Sequence, residues 1–248
     1  MSHSVEHVMG MPVLVEARGP APFDAVFNWL RFVDGLFSTY KDESQISRIN
    51  RGELEPSRAH PLVREVLERC EELREETSGY FDARATSPHW LDPSGPVKGW
   101  AVDRAAAILD EARVAEFAIS AGGDMRLRGT WRVGIQHPHE RDKLAAALEV
   151  TDLAIATSGE YARGTHVYDP HTGQPPTGVL SVTIAGPELA TADAYATAAF
   201  AMGMAGPDWT ARLDGYEAMT ILTGDVVVTS PGFRRLQSAA ARAISSVG

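Results

Sequence analysis

The spacing of apolar side chains predicts four helices in this chain. Residues 23–40, FDAVFNWLRFVDGLFSTY, place apolar side chains three and four positions apart, as an amphipathic helix does. Residues 61–76 predict a second helix that is charged on one side, and residues 101–113, AVDRAAAILDEAR, predict a third. A fourth helix, rich in small residues, is predicted from Ala190 to Met204.

Strands are predicted before and between these helices. They comprise residues 7–18, 130–138 and 181–186, a strand that turns back at two glycines over 116–129, and a closing hairpin over 218–230. Several hairpins with helices packed on them, without strict alternation, predict an α+β fold with antiparallel sheets. No internal repeat or low-complexity linker interrupts the pattern, which predicts one compact domain over residues 1–248.

Composition narrows the classes of function. A chain of 248 residues, 44% hydrophobic and 23% charged, can bury a core without disulfides. Its formal net charge of −10 argues against a nucleic-acid partner, because proteins that bind phosphate backbones cluster Lys and Arg. The single cysteine, Cys70, lies in a helical pattern, where packing explains it better than nucleophilic catalysis.

The N-terminal residues lack a basic start followed by an apolar run, which is the pattern of a secretory signal. No window approaches the roughly 18 uninterrupted apolar residues of a membrane span. These two observations predict a cytoplasmic protein with no membrane partner.

Familiar motif searches exclude several kinds of site. The chain has no G-x-x-x-x-G-K-[ST] phosphate loop, no G-x-G-x-x-G dinucleotide loop, no H-E-x-x-H zinc motif and no G-x-S-x-G nucleophile turn. The HPH triplet at 137–139 is better explained as an exposed turn around Pro138 than as a metal site.

Two glycine-containing stretches have both a structural and a functional explanation. In GPVKG, Lys98 lies just ahead of the predicted third helix, where a lysine beside a helix N-terminus suits a phosphate group. A solvated turn explains the same residues. In SAGGDM, Gly122 and Gly123 either make a hairpin turn or let the backbone approach a ligand closely.

A histidine precedes a D-P-x-T-G turn in the stretch THVYDPHTG. Asp169 and Thr172 can hydrogen-bond the backbone of that turn, which explains both without a function. His166 is not explained in this way, so it is either a structural histidine or a general base.

A carboxylate stands among small and aromatic residues in the stretch LATADAYATAAFAMG. If Asp193 lies in the first turn of its helix, it stabilises the positive end of the helix dipole, and Thr197 bonds back to a carbonyl. Alternatively, residues four apart share one helix face, so the carboxylate and the hydroxyl point at a common spot that suits Mg²⁺. Spacing alone does not decide between these explanations.

Ten stretches, in this order, resemble the ApbE family, the FAD:protein FMN transferases, from about Met9 to Gly232. They are HVMGMPV, STYKDESQISRIN, GYFDA, DPSGPVKGWAVDRAA, SAGGDMRLRG, WRVGIQHP, ATSGEYAR, HVYDPHTGQP, SVTIAGP and TADAYATAAFAMG. The resemblance implies an ApbE-like (T-fold-like) α+β domain. It also implies an Mg²⁺-dependent enzyme that moves FMN from FAD to a threonine hydroxyl of an acceptor protein and releases AMP.

The resemblance assigns expected roles to individual residues. It implies that His166 is the catalytic base, and that Asp193 and Thr197 bind Mg²⁺ with help from carbonyl groups near Gly95 and Ala196. The positions that match FAD contacts are Met9, Tyr40, Tyr80, Phe81, Asp82, Asp92 and Lys98, together with Gly122 and Gly123 as a backbone approach point.

The chain departs from the family pattern in the segment after Asp82. Only nine residues separate Asp82 from Asp92, where the family usually has a longer, partly helical segment, and His171 replaces the usual arginine of D-P-R-T-G. Two other functions therefore stay open: an Mg²⁺-dependent FAD pyrophosphatase that yields FMN and AMP, and a non-catalytic FAD-binding protein.

Overall fold

The computed structural model of the protein describes residues 1–84, 90–140, 142–159 and 167–237. Its strands are β1 (Ser2–Val8), β2 (Met11–Ala17), β3 (Phe117–Ala121), β4 (Asp124–Arg128), β5 (Thr130–Gln136), β6 (Leu144–Thr151), β7 (Ala154–Gly159), β8 (Val179–Gly186), β9 (Glu217–Leu222) and β10 (Val226–Thr229). Its helices are α1 (Phe23–Phe37), α2 (Gln45–Asn50), α3 (Pro61–Glu76), α4 (Ser94–Glu111), α5 (Leu189–Ala201), α6 (Gly206–Thr210) and α7 (Phe233–Leu236).

Eight of these strands form one sheet in the order β1-β2-β3-β4-β7-β8-β9-β10. Every neighbouring pair in it is antiparallel. The intervening β5 and β6 pair with each other as a separate antiparallel hairpin. The predicted α+β class with antiparallel sheets is therefore confirmed.

Both faces of the large sheet are covered. Ala154 and Ala156 of β7 belong to the core formed with the helices, whereas Ile155 between them packs on the side of the β5–β6 hairpin. Because alternate side chains enter different cores, β8 is buried at almost every position rather than at every second one. This burial places the small-residue helix α5 directly against one face of the sheet.

The first predicted strand, residues 7–18, is instead a hairpin. Its turn is made by Met9 and Gly10, whose φ angles are 55° and 74°, and the register pairs Val8 with Met11. Two consecutive positive φ angles are typical of the type I′ turn that joins twisted antiparallel strands. A methionine in the left-handed region is unusual, and its side chain lies at the site described below.

Helix α4 begins seven residues before the predicted start at residue 101, because it includes the stretch SGPVKG. Pro96 is tolerated there since the first turn of a helix has no acceptor for its missing N–H. Lys98 is therefore inside the helix rather than ahead of it. Its side chain is only 16% exposed, so the solvated-turn explanation is wrong.

Helices α4 and α5 touch through Gly99. A Cβ atom added at Gly99 would lie 2.6 Å from both the Cα and the N atom of Ala190. No real Cβ makes contacts this short with backbone atoms, so only glycine allows this approach of the two helices.

We expect Gly99→Ala to lower the free energy of unfolding by about 1–3 kcal/mol, because α5 must move to relieve the overlap. The usual helix-propensity gain of about 1 kcal/mol for Gly→Ala opposes this loss and does not cancel it. Gly95→Ala in the same helix is the matched control, since a Cβ at Gly95 meets nothing within 4 Å. Urea denaturation of the two variants provides the measurement, and equal stabilities would contradict the expected clash.

Cys70 packs into the helix-side core, as predicted, with 5% of its surface exposed. Burial raises the pKa of its thiol to about 12, so the group stays protonated at neutral pH. Within the part of the chain that the structure describes, no helix is long and apolar enough to cross a membrane.

Candidate functional site

A cavity of about 910 Å³ opens where the edges of several elements meet. Its wall is formed by the β1–β2 turn, the end of α1, residues 80–83, the first turns of α4, the β3–β4 turn, the end of β7, residues 167–168 and one face of α5. Pockets for small organic ligands usually measure roughly 300–1,000 Å³, so this one is large enough for a dinucleotide.

One face of α5 presents oxygen atoms to this cavity. Asp193 and Thr197 both line it, one helical turn apart, and Thr197 Oγ1 lies 3.2 Å from Ser158 Oγ. Asp193 is the fifth residue of its helix, beyond the first turn, so the helix-dipole explanation fails. The expected back-bond of Thr197 is replaced by its contact with the Ser158 hydroxyl.

Asp103 of α4 caps the N-terminus of α5. Its two carboxylate oxygens accept hydrogen bonds from the N–H groups of Leu189 and Ala190, at 3.1 and 3.0 Å. Burial raises the pKa of Asp103 above its usual value, although the two N–H donors and Arg126 act in the opposite direction. The cap holds α5 at a fixed height along α4, and therefore positions Asp193 in the cavity wall.

Lys98 lies between two carboxylates. Its Nζ atom is 3.3 Å from Asp193 Oδ2 and makes a closer ion pair with Asp124 Oδ2. The other oxygen of Asp124 accepts a hydrogen bond from the Thr157 N–H at 3.0 Å. Asp124 directly follows the turn formed by Gly122 and Gly123, so this turn positions a buried carboxylate next to Lys98.

Aromatic side chains surround the opening. Tyr40 is 96% exposed although it lines the cavity, whereas Phe81 is buried. Tyr80 packs edge-on against His171, with ring centroids 4.6 Å apart. A fully exposed tyrosine ring at a cavity mouth has a face available for stacking on a planar ligand.

The D-P-H-T-G turn forms as predicted. Asp169 Oδ1 accepts a hydrogen bond from the His171 N–H at 2.9 Å, and Thr172 Oγ1 donates to Asp169 Oδ2 at 3.1 Å. His171 Nε2 lies 3.1 Å from the carbonyl oxygen of Ser78, which connects this loop to the segment that carries Tyr80. The HPH triplet is also a turn, in which His137 Nδ1 faces the N–H groups of His139 and Glu140 at 3.3 Å. The predicted exposure is wrong at its centre, because Pro138 is buried and His137 is half-buried.

Few of the described side chains at the site could bind a metal ion. Among the described residues, no three His, Cys, Asp or Glu side chains come together as a metal-binding group. Mg²⁺ does not require such a group, since it commonly takes one or two protein oxygens and completes its shell with water and phosphate. The carboxylate of Asp193 and the hydroxyl of Thr197 are hard oxygen donors on the same helix face, so they fit this requirement.

Comparison with known proteins identifies the family. The model of the ApbE family matches residues 9–88 and 84–220, most of the chain. The chain belongs to the ApbE family. A relative named FAD:protein FMN transferase from Vibrio cholerae is 35% identical over 130 residues, which cover 46% of this chain and 39% of the relative. A second, with the same name, from Salmonella typhimurium is 30% identical over 149 residues, covering 54% of this chain and 43% of the relative.

These matched segments span about two fifths of the length of the curated relatives. Solved ApbE structures extend the likeness of fold over nearly the whole chain. The flavin transferase ApbE from Vibrio cholerae superposes with a TM-score of 0.85 at 23% identity, covering 95% of this chain and 98% of that one. The ApbE protein from Thermotoga maritima gives 0.84 at 23% identity, covering 96% and 99%.

Most of the site residues that the sequence resemblance predicts meet in the cavity. Those that line it are Met9, Tyr40, Tyr80, Phe81, Asp82, Asp92, Gly95, Lys98, Gly122, Asp193 and Thr197. The wall formed by the described residues does not include Gly123 or Ala196, and Ala196 is fully buried in α5. His166 lies outside the described residues, although Val167, the next residue in sequence, lines the cavity.

Asp124 is the site residue that the sequence patterns did not identify. It is 2% exposed, and its position directly after a two-glycine turn was the available signal. A charged residue at the first, core-facing position of a strand needs a buried partner, and Lys98 supplies it.

Proposed function

We propose that this protein is an FAD:protein FMN transferase, which moves the FMN part of FAD onto a threonine hydroxyl of an acceptor protein and releases AMP. The observation that carries the proposal is a large cavity in which eleven of the predicted site residues meet from separate parts of the chain. The relatives carry the name FAD:protein FMN transferase, which supports transfer of FMN from FAD to a protein.

FAD is the ligand that the cavity lining fits. Tyr40 and Tyr80 offer ring faces or edges at the opening, and Met9 and Phe81 add apolar surface for a flat ring system. Lys98 carries the positive charge that a pyrophosphate needs, and Asp92 and Gly122 lie on the same wall. Gly123 belongs to the same proposed set because it completes the turn that brings Gly122 to the wall.

Asp193 and Thr197 are the proposed ligands of Mg²⁺, and the carbonyl groups near Gly95, which lines the same cavity, and Ala196 are further candidates. When bound, Mg²⁺ would neutralise charge on the pyrophosphate oxygens. The residues that hold it sit on a helix whose N-terminus is fixed by Asp103, so their positions are defined before any ligand binds.

His166 is the proposed general base. In the transfer step the acceptor threonine Oγ forms a bond to the phosphorus of the FMN phosphate, and the bond from that phosphorus to the bridging oxygen breaks. The hydroxyl proton passes to His166, and AMP leaves with the bridging oxygen. A threonine hydroxyl is a weak nucleophile at neutral pH, so a base at this position is needed.

The test of this function separates it from hydrolysis and from simple binding. We expect the purified protein with FAD, Mg²⁺ and a threonine-bearing acceptor to give a fluorescent acceptor band that survives a denaturing gel. Release of free FMN and AMP from FAD alone, at the same rate without acceptor, would instead identify a pyrophosphatase. FAD that stays bound and intact in both assays would identify a binding protein.

Two further expectations stay predictions. The assignment of residues 1–248 to one domain can be tested by limited proteolysis, and the cytoplasmic location by fractionation of cells that produce the protein.

A further inference from the structure

Asp124 and Asp193 are the two acidic residues that are buried most deeply among those the structure describes, at 2% and 5% exposure. They come from different elements, since Asp124 begins β4 and Asp193 lies on α5. The ammonium group of Lys98 forms an ion pair with each of these carboxylates. The two carboxylates therefore share Lys98 as a counter-ion.

The geometry of this cluster is asymmetric. Asp124 is held in place by the Thr157 N–H, which donates to its Oδ1 atom, while its Oδ2 atom makes the closer of the two ion pairs with Lys98. The Asp193 pair is longer, at 3.3 Å, and Asp193 also faces the cavity. Lys98 is thus attached firmly on the Asp124 side and more loosely on the side where a ligand enters.

A cation bound at Asp193 would compete with Lys98 for the same carboxylate. Among the described residues of this cluster, two carboxylates face one ammonium, and this excess of negative charge favours a further cation. A divalent cation at Asp193 would lie within a few ångströms of the Lys98 ammonium, and like charges at such distances repel strongly in a buried site. The ammonium must then give up Asp193, and it needs a second carboxylate to remain buried.

We propose that Lys98 is an exchangeable counter-ion for Asp193, and that Asp124 is the positioning residue that retains Lys98 when a divalent cation takes its place. This inference rests on the proposed function, because it assumes a cation at Asp193. It adds that Asp193 is paired with Lys98 before a cation binds, and that cation binding is an exchange. Lys98 then stays at the wall, beside the bound cation, where a pyrophosphate would meet both charges.

A crystal structure of the wild-type protein with Mn²⁺ alone tests the exchange directly. We expect Mn²⁺ at Asp193, with Lys98 Nζ beyond hydrogen-bonding distance of Asp193 and still paired with Asp124. A bound ion with Lys98 still on Asp193, or Lys98 turned away from Asp124, would overturn the proposal. Failure of the wild-type protein to bind Mn²⁺ at millimolar concentrations would also overturn it.

Mn²⁺ titrations followed by EPR, without flavin, test the role of Asp124. Asp124→Asn keeps an oxygen for the Thr157 N–H and removes the charged oxygen that faces Lys98, so we expect Mn²⁺ affinity to fall by roughly tenfold as Lys98 stays on Asp193. Adding Lys98→Met to this variant should restore the affinity, which a purely structural role of Asp124 does not predict. Asp34→Asn is the matched control, because Asp34 lines the same cavity but pairs with Lys41, and we expect less than about a twofold change.

Several results would count against the role of Asp124. Wild-type affinity in Asp124→Asn, or no recovery in the double variant, would contradict it. If Asp124→Asn does not fold, as judged by circular dichroism, Lys98→Met alone decides: Mn²⁺ should bind more tightly than to the wild type, and weaker binding would overturn the exchange. Since no flavin is present in these titrations, their outcome is independent of the transfer assay.

Discussion

Replacing Asp193 by asparagine should abolish Mg²⁺-dependent flavin transfer while the protein stays folded. Asparagine has nearly the same size and shape as aspartate, so the packing around this 8%-exposed side chain is preserved. The change removes the charged oxygen that a hard cation prefers, and we expect the rate to fall by at least about 100-fold, or about 2.7 kcal/mol of transition-state stabilisation.

The stability of this variant is also expected from the structure. Lys98 keeps its ion pair with Asp124, so its buried ammonium group still faces a carboxylate. Thr197→Val is the graded companion, because it removes one neutral oxygen and should cost less activity. Both activity and thermal unfolding are measured for each variant. A destabilised Asp193→Asn that retains its activity would return Asp193 to a structural role.

Replacing His166 by alanine should reduce the yield of flavin-modified acceptor by about 100- to 10,000-fold, the usual contribution of a general base. FAD affinity should change by less than about twofold, because proton transfer is made in the transition state and not in ground-state binding. The measurements are the initial rate of acceptor labelling and the FAD dissociation constant by fluorescence. Partial rescue of the rate by added imidazole would support the assignment further.

His171→Ala is the matched control for this variant, since it removes another histidine, five residues further along the sequence. The ring of His171 packs on Tyr80 and contacts the Ser78 carbonyl, so its loss should weaken FAD binding more than it slows the chemical step. The opposite pattern, with FAD affinity falling in parallel with the rate in His166→Ala, would make His166 a cofactor contact.

The strand β6 was not predicted because of its amino-acid composition. Its residues LAAALEVT are mostly good helix formers, and no element was predicted over 144–151. In the structure Ala146, Leu148 and Val150 alternate toward the core, and the whole segment pairs with β5. Strand pairing with a partner supplies hydrogen bonds and burial that outweigh a local preference for helix.

The start of α4 was predicted too late for a different reason. Gly95, Pro96 and Gly99 are typical turn residues, so the helix was predicted to begin after them. Their roles depend on position: the proline lies in the first turn, and Gly99 makes room for Ala190 of α5. The first role depends on where the helix begins, and the second depends on which helix packs against α4.

Features that depend on a few neighbouring residues were determined by the sequence alone. The two-glycine turn at Gly122 and Gly123, the D-P-H-T-G loop and the shared face of Asp193 and Thr197 all follow from local backbone geometry, which short-range sterics and hydrogen bonds set. The resemblance to the ApbE family also came from the sequence, and eleven of the residues that it named line the cavity.

The partners of those residues were decided only by the tertiary structure. Lys98 and Asp193 are far apart in sequence, and Asp124 joins them from a third element, so no local spacing indicates that they meet. The same holds for Asp103, which caps a helix 86 residues away. Buried charges need partners wherever the fold can supply them, and the packing of α4 and α5 on the sheet decides which ones are in reach.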